Sequence, residues 1–205
     1  MRILASLIAA TFVMMAFMPL GQSLPDDQSP ESVEKWFKKF PHAKPKLTKL
    51  HFYLYNIVSK SPPNSAPVAQ ASTTPSTPVT SFGLVNVLDG PLREKPGAEI
   101  IGYSQGLFTF ASQENRATLM TLNFVFTAGP FNGSTLSVLG HNLVTAKYRE
   151  FPIIGGSGDF RMAQGIGTAS SYFVNATSGD DILEMSFVFY RYPLPKTDSE
   201  YVAEE

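Results

Sequence analysis

Leu47-Thr48-Lys49-Leu50-His51-Phe52-Tyr53-Leu54-Tyr55-Asn56-Ile57-Val58 is the stretch on which the fold turns. Aromatic and aliphatic residues alternate in it with polar ones, the composition and two-residue period of a half-buried strand. With that period Leu50, Phe52, Leu54 and Asn56 share one face, so an amide closes an otherwise apolar row. A polar group at that place is either a core amide bonded to backbone or part of a ligand pocket.

Working outward, the chain repeats this pattern. Counting the first run, eight candidate strands cover 48–58, 81–88, 99–110, 118–127, 134–142, 148–154, 159–174 and 181–192. Turn signals separate them: Asp89-Gly90-Pro91, Gly129-Pro130 with Asn132-Gly133, Gly155-Gly156-Ser157-Gly158, and Ser178-Gly179-Asp180. Ser59 to Pro78, rich in Ser, Thr, Pro and Ala, reads as a surface loop. The expected fold is all-β, an eight-stranded antiparallel β-barrel able to hold one small ligand, with a jelly roll as the rival architecture. Before the strands, Ser29 suits an N-cap and Pro30 the first helical position. Val33, Trp36, Phe37 and Phe40 recur at helical spacing, so a short amphipathic helix is expected from Pro30 to about Lys39, ended by Pro41. Its Trp36 stripe reads as packing surface.

Composition bounds the function. The 205 residues are 43% hydrophobic and 12% aromatic, enough for a real core in one domain with tails. Sixteen Lys and Arg against 17 Asp and Glu leave a formal charge of -1, which gives no electrostatic footprint for nucleic acid or an anionic membrane. Partners are expected to be small or neutral. Zero cysteines remove cysteine nucleophiles and thiolate metal sites, and His42, His51 and His141 lack ligand spacing, so no metal is expected.

Residues 1–23 read as a secretory signal: Arg2 begins it, Ile3 to Phe17 is an apolar run, and Gly21-Gln22-Ser23 offers small residues before a cut at Leu24. A transmembrane anchor is the other reading, but the run falls short of the ~20 residues that a span needs. Two glycosylation sequons, Asn132-Gly133-Ser134 and Asn175-Ala176-Thr177, fit export. Asn132 is expected to carry glycan more readily than Asn175, because it lies in a Gly/Pro-flanked turn whereas Asn175 follows a strand end and is partly shielded.

Taken in series, Lys49 to Asn56, Phe82-Gly83-Leu84-Val85, Asp89-Gly90-Pro91-Leu92, Gly102-Tyr103-Ser104-Gln105-Gly106, Asn123-Phe124-Val125-Phe126-Thr127, Asn132-Gly133-Ser134-Thr135-Leu136 and Gly155-Gly156-Ser157-Gly158-Asp159-Phe160 resemble the plant dirigent proteins. The order and spacing match from about residue 46 to residue 192, which divides the chain into a signal peptide (1–23), an N-terminal extension (24–45), the barrel (46–192) and a short tail (193–205). The resemblance implies a secreted, apoplastic glycoprotein, a homodimer or homotrimer, acting in phenylpropanoid metabolism and plant defence. The implied role is to steer coupling of two phenoxy radicals, such as those of coniferyl alcohol, towards one lignan stereoisomer. A guide of this kind needs no cofactor and no redox activity of its own, since an external laccase or peroxidase makes the radicals.

The resemblance also implies site residues. Lignan-forming members carry one pocket acid in the first strand, a second two residues after the glycine matching Gly140, and an arginine soon after. These fall on Asn56, Asn142 and Arg149, so both acids are amides here. An asparagine can hydrogen-bond a phenol or a quinone-methide carbonyl but is no general acid. Tyr55, Tyr103 and Phe124 are expected to line the substrate site, and Tyr55, Tyr103 or Asp159 to stand in as acid. Each has a plainer reading: the amides as core or turn groups bonded to backbone, Arg149 as a surface partner of Glu150, Phe124 and Phe126 as core, and the Gly155–Gly158 run as a hairpin turn rather than a phosphate cradle. Two other functions share the fold: an isoflavanol dehydratase that closes a pterocarpan ring, and a cell-wall defence protein without coupling activity.

Overall fold

The computed structural model describes residues 28–72 and 80–193. The signal segment, the start at Leu24, part of the 59–78 loop and the tail beyond 193 lie outside the described residues. Helix α1 spans Pro30–Lys39, with Ser29 Oγ accepting the Ser32 N–H at 3.2 Å. Glu31 in its first turn and Lys38 and Lys39 in its last complement the helix dipole. Trp36 is its buried residue and stacks on Phe40, which meets Tyr192 edge-on, both at 4.9 Å between ring centroids. Phe40–His42 form a 3-10 turn through Pro41, and the chain leaves it extended.

Nine strands follow: β1 Lys46–Asn56, β2 Ser65–Gln70, β3 Leu84–Arg93, β4 Ile100–Phe110, β5 Ala117–Phe126, β6 Thr135–Leu143, β7 Arg149–Ser157, β8 Gln164–Val174 and β9 Asp181–Arg191. The antiparallel order β1-β9-β8-β7-β6-β5-β4-β3 closes on itself where β3 pairs with β1. The result is an eight-stranded closed barrel, which settles the choice against a jelly roll.

β2 lies within the Ser59 to Pro78 stretch whose composition reads as loop. β1 ends at Asn56, an excursion over residues 57–64 follows, and β2 then resumes along the first half of β3, pairing Ser65 with Leu88 and Gln70 with Leu84. Asn64 staples the break: its Oδ1 accepts the Ile57 N–H at 2.7 Å and its Nδ2 donates to the Tyr55 carbonyl at 3.0 Å. β1 itself reaches β3 only at Leu54↔Leu92 and Tyr53↔Arg93.

Asp89-Gly90-Pro91 is not a turn but the middle of β3. Gly90 is buried at the seam, and a Cβ there would lie 2.5 Å from the Tyr55 carbonyl oxygen, so only glycine lets β3 cross β1 so closely. Gly155 to Ser157 complete β7, and a 3-10 turn at Gly158–Phe160 carries the chain towards β8, which starts at Gln164 rather than 159. Gly158 sits at φ +61 against Ser134, whose Oγ would be 2.6 Å from an added Cβ. That geometry is a hairpin turn, with no helix after it to hold a phosphate.

The interior is graded along the barrel axis. One end is filled by phenylalanines: Phe52, Phe124 and Phe187 pack within 5.1–5.2 Å of each other, and Phe160 bridges Phe126 and Phe189 at 5.6 and 5.4 Å. The 3-10 turn that follows α1 meets this end through Phe40 against Tyr192. The other end, where β1, β6 and β8 finish and β7 and β9 begin, is polar.

Candidate functional site

The polar end collects inward-facing residues from five strands. Asn56 ends β1 and lies in register with Asp181, the first residue of β9. Directly opposed residues of an antiparallel pair point to one face, and Asn56 Nδ2 donates to Asp181 Oδ1 at 2.6 Å. Arg149 opens β7 and is buried, only 5% exposed. Its guanidinium donates to the Ala169 and Val144 carbonyls, both at 3.4 Å, and to Ser171 Oγ at 3.2 Å. Those bonds are long for N–H···O contacts, and none goes to a charged group. Asn142, near the end of β6, is also buried, with Nδ2 donating to Thr118 Oγ1 of β5 at 3.0 Å.

The electrostatics follow from burial. Desolvation pulls the Arg149 guanidinium below its ordinary pKa, and the field of Asp181 opposes that shift. Asp181 is pushed up by burial, against the Asn56 hydrogen bond and the Arg149 charge, with Asp180 adding to the rise. Asp180, the next residue back, faces outward and does something else. It accepts from the Val58 and Ser59 N–H groups, both at 2.9 Å, and from Ser59 Oγ at 2.6 Å, which holds its carboxyl down at about 2.

Two acceptors at this end have no partner. Asn56 Oδ1 and Asn142 Oδ1 are both buried and make no hydrogen bond. A buried acceptor left unmade costs about 1–3 kcal/mol, so the pair is an unfilled demand for hydrogen-bond donors. Hydroxyl groups on a bound molecule would meet it. The same barrel interior holds a third such atom, Ser104 Oγ.

Of the residues singled out from sequence, Asn56, Asn142 and Arg149 all lie at this one end, and Asn56 and Arg149 are linked through Asp181. Tyr55 and Tyr103 are not brought to it. Alternation turns both to the outer face, where Arg93 lies 5.8 Å over the Tyr55 ring. Phe124 is fully buried in the aromatic half against Phe52 and Phe187. Asp159 stands at the far end of β7, where Arg191 approaches it at 3.4 Å. None of the three stand-in acids is therefore at the polar end, and the carboxyl that is there, Asp181, was not singled out. The signal for it was available: Asp181 begins the run Ile182-Leu183-Glu184-Met185 at the place where an inward position falls. Its value appears only once β9 is known to pair with β1 in this register.

Among the described residues no group of three or more His, Asp or Glu is placed to hold a metal ion, and no helix is long and apolar enough to cross a membrane. Asn132 and Asn175 are both half-buried, Ser134 of the first sequon is 1% exposed, and Thr177 of the second is exposed. Asn132 lies in a tight loop whose hydroxyl partner is turned inward to accept the Asp159 N–H at 3.1 Å.

A closed β-barrel with one aromatic and one polar interior end defines the class, and the comparisons agree with it. Residues 47–190 match the family described as Dirigent-like protein. The chain is 45% identical over 148 residues to Dirigent protein 21 of Arabidopsis thaliana, covering 71% of this chain and 78% of that one. It is 37% identical over 150 residues to Pterocarpan synthase 1 of Glycyrrhiza echinata, covering 72% and 79%. The solved structure of a pterocarpan synthase dirigent protein superposes with a TM-score of 0.68 at 36% identity, covering 74% of this chain and 93% of that one. The chain belongs to the dirigent family.

Proposed function

We propose that this protein takes phenolic molecules into the polar end of its barrel and guides the coupling of two phenoxy radicals towards one stereoisomer, as in the formation of an optically active lignan from coniferyl alcohol. An external laccase or peroxidase supplies the radicals. The observation that carries the reading is the pair of unpartnered buried amide oxygens, Asn56 Oδ1 and Asn142 Oδ1, at the same end as the buried Arg149. Phenol and side-chain hydroxyls donate to the amides, and the guanidinium donates to a phenoxy or quinone-methide oxygen. Selectivity comes from orientation: held in one geometry, the two radicals present chosen faces to each other.

The test is oxidant-driven coupling of a panel of monolignols and related phenols, with chiral analysis, with and without the protein. An enantiomeric excess is expected. Arg149→Leu is expected to weaken phenol binding or selectivity by about 1.5–3 kcal/mol, the worth of a charge-assisted bond. An Arg149→Leu variant that binds and selects like the wild type places the arginine outside the binding site.

A second reading, dehydration of an isoflavanol to close a pterocarpan ring, is favoured by one specific observation: a carboxyl, Asp181, is present beside Asn56. Turnover of an isoflavanol without oxidant separates it from coupling. A protein inert in both assays would leave the third reading, a wall-associated binding or defence protein without coupling activity.

Export follows the same reading. Residues 1–23 direct the chain to the apoplast, and the exported form starts at Leu24. The intact mass of protein from culture medium tests this. Outward-facing Val87, Leu107, Leu119 and Leu139, each 40–45% exposed, put an apolar band, crossed by Thr121, on β3 to β6, which supports association into a homodimer or homotrimer.

A further inference from the structure

We infer that Asp181 is the proton-carrying residue of this site, acting from β9 across the ladder from Asn56. The inference rests on the reading that the polar end of the barrel takes a phenolic ligand, and it assigns an acid–base step to a site whose first-strand and sixth-strand candidates are amides. Three features of the geometry carry it. Asp181 shares the inward face and the register position of Asn56, so a ligand that reaches the unpartnered Asn56 Oδ1 also reaches this carboxyl. Asn56 engages only Oδ1, which leaves Oδ2 for a ligand. Three of the Arg149 donors go to Ala169, Val144 and Ser171, none of them charged and none of them Asp181, so the guanidinium acts on Asp181 through its field and does not lock it in an ion pair.

Asp180 is not an alternative, because its carboxyl is occupied outside the barrel by Val58 and Ser59. Tyr55, Tyr103 and Asp159 are elsewhere. The groups that bear on Asp181 are Asn56 from β1, Arg149 from β7 and Asp180 beside it. Their balance with burial leaves the carboxyl above its ordinary range, which makes it a better match for proton transfer nearer neutral pH.

The step balances without an oxidant. A quinone methide, whether formed by radical coupling or by loss of water, has an electrophilic exocyclic carbon and a carbonyl oxygen. A ligand hydroxyl attacks that carbon and forms a C–O bond, and the exocyclic π electrons pass into the ring. The Asp181 carboxyl gives its proton to the former carbonyl oxygen, now a phenol, and the resulting carboxylate takes the proton released by the attacking hydroxyl.

The experiment follows quinone-methide decay in stopped flow, over a pH series, with coniferyl alcohol plus laccase in one arm and an isoflavanol without oxidant in the other. The proteins are wild type, Asp181→Asn, and the double variant Asn56→Asp with Asp181→Asn. Asp181→Asn keeps an acceptor for Asn56 Nδ2 but has no proton to give. It is expected to slow decay by about a hundredfold, within the usual worth of general acid–base catalysis, and to flatten the pH profile while phenol binding persists. The double variant returns a carboxyl to the other side of the same ladder rung and is expected to recover most of the rate. Wild-type rate and pH profile in Asp181→Asn would overturn the assignment, as would a folded double variant that stays slow. A wild type inert in both arms overturns the functional reading and this assignment with it. Wild-type activity with an indifferent Asp181→Asn overturns the assignment alone.

Discussion

At the scale of single residues, two adjacent aspartates are held in opposite senses by the face each takes. Asp180, ordinarily at 3.8, is held at about 2 by Ser59 and Val58, so its contribution to stability is complete above its unfolded value and disappears as pH falls from about 4 through about 2. Asp181 is raised by burial, so its carboxylate opposes folding at neutral pH and its protonation relieves that cost as pH falls through the raised value. Melting curves over a pH series should show this directly. Asp180→Asn is expected to melt below wild type at neutral pH, with the gap closing towards pH ~2, whereas Asp181→Asn is expected to melt at or above wild type at neutral pH. The same signs in both variants would contradict the assignment of faces. Glycosylation is also decided locally. Asn175 Oδ1 accepts the N–H groups of Thr177 and Ser178 at 3.0 and 3.2 Å, which leaves Nδ2 free of that turn and the Thr177 hydroxyl exposed. Glycopeptide mapping is therefore expected to find Asn175 at least as fully occupied as Asn132, and an Asn132-only glycan would show that the folded geometry does not govern the choice.

At the scale of elements, β3 and β9 hold the barrel together. Phe187 of β9 lies fully buried between Phe52 and Phe124, and Phe187→Ala is expected to cost about 3–5 kcal/mol by denaturant unfolding. Gly90→Ala places a methyl against the Tyr55 carbonyl and Leu54, and is expected to cost about 1–3 kcal/mol as the β1–β3 seam shifts. The long strands and α1 were legible because their periods are strong and their caps are explicit: Ser29-Pro30 before Val33, Trp36 and Phe37, and the alternation from Leu50 to Asn56. β2 was not, since Ser65-Ala66-Pro67-Val68-Ala69-Gln70 has little β-branched or aromatic content, and its strand character comes from β3 beside it. Asp89-Gly90-Pro91 misled for a related reason. The residues that make a turn in isolation also permit a tight crossing of two strands, and only the tertiary contact of Gly90 with Tyr55 distinguishes the two. Asn56, Asn142 and Arg149 could be picked out individually, whereas the inward strand position of Asp181 gains its meaning only through the β1–β9 register, which makes a carboxyl 125 residues away the neighbour of Asn56.

At the scale of the whole molecule, the barrel separates its aromatic packing from its polar interior residues along its axis. Eight paired strands leave no free edge in the closed part, and phenylalanines fill one end, with Phe40 meeting Tyr192 beside it, so the polar end can carry unpartnered acceptors and a buried cation that a marginal fold would not tolerate. This arrangement also works without disulfides. Apolar area also lies outside: on β3 and β4 Val87 faces Leu107, Leu139 of β6 falls in the same row beyond Thr121, and Leu119 of β5 stands two residues from that row. Self-association would bury that band while leaving the polar end of each barrel as a separate site. Sedimentation of the protein is expected to show a dimer or trimer at micromolar concentration, and Leu107→Lys with Leu139→Lys to shift it to monomer. Because both side chains face away from the interior, the monomer is expected to keep the affinity of the wild type for phenol. A wild type that sediments as a monomer at every concentration would assign the band to a different partner, and a monomeric variant that lost phenol binding would show that the site depends on the neighbouring copy.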